Sequence, residues 1–202
     1  MTLSGIKAVF LDAGNTLVHL DHEFLATLTA AAGHPVPAER LMEAEYAGRQ
    51  ALDRVHTGRA PPPEDFGVLY FVALFTMAGI PERVARHLFT RVRAADREAS
   101  LWHVVLPGTV DVLRELRRRG YRVAVVSNAD GRVADTMARV GIAPHLSFVV
   151  DSYVVGVEKP DPRIFHLAVE RAGVAPGEAV HVGDTYSVDY LGARVAGLLA
   201  LL

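Results

Sequence analysis

The chain has 202 residues, 50% of them hydrophobic and 22% charged, with a net charge of −2. That composition allows one domain or a core with a sizeable insertion, and it is too apolar for a disordered chain. The near-neutral balance gives no electrostatic reason to expect nucleic acid or an anionic membrane as partner, and the absence of cysteine excludes disulfides, thiolate metal sites and a cysteine nucleophile.

The opening residues Met-Thr-Leu-Ser-Gly-Ile-Lys lack the apolar core of a signal peptide, so a soluble, cytoplasmic protein is expected. Lys7 to Asp12 is a short apolar run ending in a carboxylate, which reads as a buried strand. From about His22 to Ser100 the pattern is helical. Helices are expected over 22–32, 38–56, 64–79 and 82–99, separated by Gly- and Pro-rich breaks. Phe66 to Ile80 is almost wholly apolar, but a membrane-spanning helix needs about 20 residues, so a buried helix is expected there. From Leu106 onward strands and helices alternate. A helix from Pro107-Gly108 to Arg119 precedes a strand over 121–127, and a helix over 131–140 precedes a strand over 148–151. A helix over 161–172, a strand over 179–183, a helix over 187–196 and a strand over 198–202 complete the series. The chain stops inside that last apolar strand, so a short C-terminal tail is expected beyond Leu202.

Alternating strands and helices imply a parallel sheet covered on both faces. The strand at 7–12 joins it once the helical stretch is excised. The expected architecture is therefore α/β, a doubly wound core of residues 1–16 plus 103–202, with residues 17–102 inserted as an α-helical cap. In such sheets the ligand sits outside the carboxyl ends of the strands. Polar residues occupy four positions at or just beyond those ends: Asp12, Ser127, Lys159 in the loop Gly-Val-Glu-Lys-Pro-Asp, and Asp184 in His-Val-Gly-Asp-Thr-Tyr-Ser-Val-Asp. Nineteen of the 21 basic residues are arginine, and only Lys7 and Lys159 are lysine. A lysine retained in so arginine-rich a chain points to a place where a guanidinium will not serve.

With these residues in this order the chain resembles the haloacid dehalogenase superfamily over its whole length. Asp12 and Thr16 match the first motif, Ser127 the second, and Lys159 the third. Gly183, Asp184 and Asp189 match the fourth, and the phrase Lys-Pro-Asp-Pro-Arg-Ile-Phe at 159–165 is also shared. The resemblance implies a hydrolase in which Asp12 attacks the substrate and Asp12, Asp184 and Asp189 hold Mg²⁺, with Gly14 adding its backbone carbonyl. Hard oxygen donors suit that ion. Lys159 would offset charge between Asp12 and a phosphoryl group, and Ser127 would hydrogen-bond the same oxygens. Thr16 and Asn128 belong to the turns around the substrate. His181, in a strand three residues before Asp184, reads as a packed, hydrogen-bonded side chain, and the other histidines show no ligand spacing.

One position departs from the pattern. Phosphatases of this family carry a second aspartate two residues after the nucleophile, as general acid and base, where this chain has Gly14. Three readings follow. The chain is a Mg²⁺-dependent phosphatase acting on a small phosphorylated metabolite without its usual acid. Alternatively it is a 2-haloacid dehalogenase, in which the halide leaves without a proton, or a weakly catalytic binding protein on the same fold. Arg49, Arg54 and His56 on the second expected helix are candidates for substrate binding from the cap. The partner implied is a small molecule, and the chain is expected as a monomer or homodimer.

Overall fold

In a computed structural model that describes residues 5–202, the elements follow one another as β1 (Ala8–Leu11), β2 (His19–Leu20), α1 (His22–Ala31), α2 (Ala38–His56), α3 (Phe66–Met77), α4 (Glu82–Glu98) and β3 (Trp102–Val104). They continue as α5 (Thr109–Arg118), β4 (Arg122–Ser127), α6 (Val133–Arg139), β5 (Phe148–Asp151), α7 (Ser152–Val155), α8 (Pro162–Ala172), β6 (Ala179–Val182), α9 (Gly192–Val195) and β7 (Leu199–Leu201). The strands β5-β4-β1-β6-β7 form one parallel sheet, and β2 pairs antiparallel with β3 as a separate ribbon. The chain separates into two units, one holding both sheets (the segment up to Leu20 with Trp102–Leu202) and the other Asp21–Leu101.

The sheet explains its own apolar runs. Its middle strands are covered on both faces, so β1 is hydrophobic throughout, β4 and β6 are mostly so, and successive residues alternate in which core they enter. Ala8 and Phe10 enter the core built with Ile164, Phe165, Ala168 and Ala193 from α8 and α9. Val9 and Leu11 enter the opposite core, with Leu113, Val133 and Met137 from α5 and α6. From β1 the chain proceeds outward through β4 and β5, then returns to the other side of β1 for β6 and β7. The order therefore reverses at β1, and the carboxyl ends there are where open α/β sheets place a ligand.

The second unit is helical. Asp21 caps α1 by accepting from the N–H of Phe24, and Asp65 caps α3 through the N–H groups of Gly67 and Val68. The apolar stretch expected as a buried helix is α3, whose Tyr70, Phe71, Leu74 and Phe75 are buried between α2 and α4. Among the described residues, no helix is long and apolar enough to cross a membrane. One charge lies inside this unit. Glu45 is buried, accepts from the Tyr70 hydroxyl, and pairs with His22 Nε2 at 2.9 Å.

Two local features differ from the sequence expectation. The β2–β3 ribbon is absent from it, because strands of two and three residues are too short for alternation to register. The helix expected over 187–196 is instead a π-helical turn, Tyr186–Leu191, running into α9. The Thr185 carbonyl accepts both from the Asp189 N–H at 2.8 Å, as in an α-helix, and from the Tyr190 N–H at 3.4 Å, the longer reach of the wider turn.

Asp151 ends β5 and organises the segment that follows β4. Its carboxylate accepts from the N–H groups of Gly131 at 3.1 Å, Val133 at 3.3 Å and Tyr153 at 3.0 Å, and it is 5% exposed. Leaving a buried donor without a partner costs about 1–3 kcal/mol. Asp151→Ala is expected to destabilise the protein by about 3 kcal/mol in chemical denaturation, and Asp151→Asn, which keeps an acceptor oxygen, by less than half of that.

Candidate active site

Asp12 follows β1 directly, and side-chain alternation along the strand directs it to the same side as Ala8 and Phe10. Its backbone N–H continues the sheet, donating to Val182 O at 2.9 Å, so the carboxylate is delivered by the most constrained strand of the fold. On that side it meets Lys159, whose Nζ donates to Asp12 Oδ1 at 2.6 Å and to Asp189 Oδ1 at 2.5 Å. Lys159 is 1% exposed and Asp12 7%. The π-helical turn carries Asp189 to this position, and Gly183 makes room for it: a Cβ there would stand 2.3 Å from Asp189 Cγ. Asp189 Oδ1 also contacts His181 Nε2 at 2.9 Å, and its Oδ2 accepts from the Thr185 N–H at 3.0 Å.

Asp184 completes the acidic group. Asp12, Asp184 and Asp189 each offer a carboxylate oxygen, all within 4.8 Å of one another, and form the one such cluster among the described residues. Asp184 is steadied by Asn15, whose Nδ2 donates to Asp184 Oδ2 at 3.1 Å, and by the Thr185 hydroxyl at 3.2 Å. Asn15 does more than form the turn after Asp12. It sits at φ 54°, a left-handed conformation that asparagine tolerates, and that bend aims its side chain across to the fourth motif. Thr16 lies half-buried in the same turn, which is closed by backbone bonds from Asn15 to Val18 and from Leu17 and Val18 to Ala13.

Gly14 does not use a left-handed backbone. A Cβ built there would lie 3.4 Å from two ring atoms of Trp102 and 3.9 Å from Asp12 Oδ2. An indole therefore stands where a side chain at this position would grow. Trp102 comes from β3, part of the ribbon that the sequence pattern did not disclose.

Ser127 ends β4 at 4% exposure, in register with Asp151. The Asn128 side chain is bound to the Lys159 backbone in both directions: its Nδ2 donates to Lys159 O at 2.8 Å, and Lys159 N–H donates to its Oδ1 at 2.7 Å. Its amide thus braces the loop that carries the lysine, a function not visible in sequence. Arg49, Arg54 and His56 lie on α2 in the helical unit. There Arg49 covers the Tyr46 ring at 5.9 Å and His56 stacks on Phe66 at 5.4 Å.

Burial and the competing acids set the protonation equilibria. Desolvation lifts the Asp12 carboxyl from 3.8 to about 6; Lys159 opposes the shift, and Asp189 and Asp184 reinforce it. Burial works against the charged form of Lys159 too, but Asp12 and Asp189 outweigh it and raise its pKa, so the ammonium stays protonated. Desolvation opposes ionisation of Asp189 as well, yet Lys159 and the His181 hydrogen bond hold its carboxyl far below the usual range. Several acids around one lysine leave a surplus of negative charge in a confined space. Oxygen donors with that surplus are the chemistry that a hard divalent cation takes, so the residues present fit such an ion.

A profile described as haloacid dehalogenase-like hydrolase matches residues 6–197. The Bos taurus protein named haloacid dehalogenase-like hydrolase domain-containing protein 3 is 34% identical over 204 aligned positions, covering 98% of this chain and 81% of that one. The Mus musculus protein of the same name is 40% identical over 128 positions, which are 63% of this chain and 51% of its own length. Phosphoserine phosphatase of Thermus thermophilus is 39% identical over 130 positions, 64% of this chain and 50% of that one. The matches to the mouse and Thermus proteins thus span about half of each relative's length. Among solved structures, a HAD-hydrolase of Bacillus subtilis bound to magnesium superposes with a TM-score of 0.68 over 96% of this chain and 85% of that one, at 17% identity, a likeness of fold. The chain belongs to the haloacid dehalogenase-like hydrolase family and has its fold.

The raised pKa of Asp12 has a thermodynamic sign. An acid whose folded-state pKa lies above its unfolded value destabilises the fold when ionised. For Asp12 the penalty is absent below the unfolded value of 3.8 and grows as pH rises through about 6. The shift corresponds to about 3 kcal/mol. In protein stripped of divalent cations, Asp12→Asn is therefore expected to raise the thermal midpoint at pH 7.5 by several degrees. The gain should vanish at pH 3.5, which a pair of calorimetric scans will show.

Proposed function

We propose that the chain is a divalent-cation-dependent phosphomonoesterase, acting on a small phosphorylated metabolite through a phosphoryl intermediate on Asp12. The observation that carries this reading is the pairing of Asp12 with a buried lysine amid two further carboxylates, at the point where the strand order reverses. Asp12 uses a carboxylate oxygen to form the new P–O bond, and the substrate's ester oxygen departs with the electrons of the bond that breaks. Lys159, fully protonated and anchored between Asp12 and Asp189, holds a positive charge beside the phosphoryl oxygens as attack proceeds. Ser127 and the main-chain N–H groups near Ala13 and Asn128 orient the same oxygens, and Thr16 supports the turn. Water then attacks phosphorus, releasing inorganic phosphate and restoring Asp12.

Asp12, Asp184 and Asp189, with the Gly14 carbonyl, are the groups that would hold Mg²⁺, which supplies charge neutralisation between nucleophile and phosphate. The helical unit supplies the cap, with Arg49, Arg54 and His56 as its candidates for substrate contact. A dehalogenase would need no cation, and the surplus of carboxylates argues against that reading. The phosphatase names among the relatives point the same way, toward phosphate esters.

Hydrolysis of a panel of aryl, acyl and alkyl phosphates, with and without Mg²⁺, tests the proposal. Turnover should require the ion, and Asp12→Asn should abolish it. Asp184→Ala should raise the Mg²⁺ concentration needed for half-activity far more than Asp189→Ala, because Asp189 is already engaged by Lys159, His181 and Thr185. Full activity in excess chelator, or turnover of 2-haloacids alone, overturns the assignment.

The absence of an acid at Gly14 makes a second prediction. Poor leaving groups need a proton, and a positioned acid is worth about 10²–10⁴ in rate. Gly14→Asp should therefore speed alkyl phosphates more than aryl phosphates, by up to about 10². Trp102 crowds the introduced side chain, so Gly14→Asp with Trp102→Leu should gain more than Gly14→Asp alone. Parallel kcat measurements on both ester classes decide it.

A further inference from the structure

We propose that His181 is a positioning residue that, acting through Asp189, sets where Lys159 stands beside Asp12. This rests on the reading of Asp12 as nucleophile. His181 lies on β6, in register with Phe10 of β1, and is completely buried. Its Nε2 is 2.9 Å from Asp189 Oδ1, the oxygen that also accepts from Lys159 Nζ. Against an ionised carboxylate, that nitrogen is the donor and carries the ring proton. The other nitrogen, Nδ1, has no hydrogen-bond partner among the described residues.

This arrangement is costly where a cheaper one is available. The ring is wedged against Phe165, edge to face at 5.1 Å, in a core of apolar side chains. A methionine or leucine would fill the space with no stranded polar atom. What the imidazole adds is the single bond to Asp189. That bond matters because Asp189 Oδ1 is shared. With Lys159 as its only donor, this oxygen would be free to follow the lysine toward Asp12. With His181 pulling from the side of β6, and the Thr185 N–H holding Oδ2 at 3.0 Å, the carboxylate is held from three directions. Lys159 is then suspended between a fixed anion and the nucleophile. The line His181–Asp189–Lys159–Asp12 thus runs from β6 to β1 through buried side chains alone.

His181→Met and His181→Gln test the proposal, since the two side chains match in size and only glutamine keeps a donor near Nε2. Two readouts are needed. The first is turnover of an aryl phosphate with Mg²⁺. His181→Met should lower kcat about tenfold or more with KM within about twofold, and His181→Gln should stay within about threefold of the parent. The second does not depend on activity. The chain has only two lysines, so protein labelled with ¹³C at lysine Cε gives two resonances, one from exposed Lys7 and one from Lys159. At fixed pH the Lys159 signal should move in His181→Met and return in His181→Gln. His181→Leu replaces the methionine variant should that one not fold. Equal behaviour of the methionine and glutamine variants, or an unmoved Lys159 signal, overturns the proposal. If the parent protein hydrolyses no phosphate ester, the proposed function falls, and the resonance still decides the part played by His181.

Discussion

A single ammonium held between two buried carboxylates, with a third, half-buried one beside them, is a configuration that most of this fold serves to hold. Removing charges from water costs several kcal/mol each, and mutual attraction repays it only when geometry and hydrogen bonds are right. The structure meets that condition with backbone as much as with side chains. Asn128 grips the Lys159 main chain from both sides, and Asp189 receives donors on both oxygens. Gly183 has no side chain because Asp189 lies where one would be, and Gly192 lets α9 approach Pro160, whose Cα would be 3.0 Å from a Cβ there. Residues that look unrelated in the sequence are thus tied to one requirement, that the lysine point at Asp12.

The parallel sheet is the other half of the arrangement. β1 is bonded on both edges, so Asp12 inherits the rigidity of the middle of the sheet. Ser127 ends β4 and Asp184 follows β6, the two strands that flank β1, so they stand at the same end from either side. Attack by a carboxylate demands small tolerances, and a misplacement of about 1 Å is enough to lose much of the rate. Strand ends supply that accuracy better than free loops do.

Much of this is legible in the amino-acid sequence. The strands 7–12, 121–127 and 179–183 declared themselves as continuous apolar runs, and the residues at their ends stood in a recognisable order. The scarcity of lysine marked Lys159. What escaped reading was whatever depends on a contact distant in sequence or on a local irregularity. Asn15 and Asp184 are 169 positions apart, and nothing in either neighbourhood announces the bond between them. The π-helical turn at Tyr186–Leu191 hides inside a helical pattern, because hydrophobic periodicity does not resolve one extra residue per turn. Trp102 beside Gly14 depends on a ribbon of very short strands. The glycine itself was legible as a missing acid. That an indole occupies the adjoining space was not.

The two lysines also differ in what a reagent can reach. The Lys7 side chain is 63% exposed, and the residue directly precedes β1, at the opposite end of that strand from Asp12 and roughly 16 Å from it at about 3.3 Å per residue. Lys159 is sealed among its carboxylates with its ammonium protonated, and so is no nucleophile toward an activated ester. Of the side-chain amines, only Lys7 is therefore open to acylation. A support that couples to lysine would grip the core beside the amino end of its central strand, leaving the carboxyl ends of the strands directed away from the matrix.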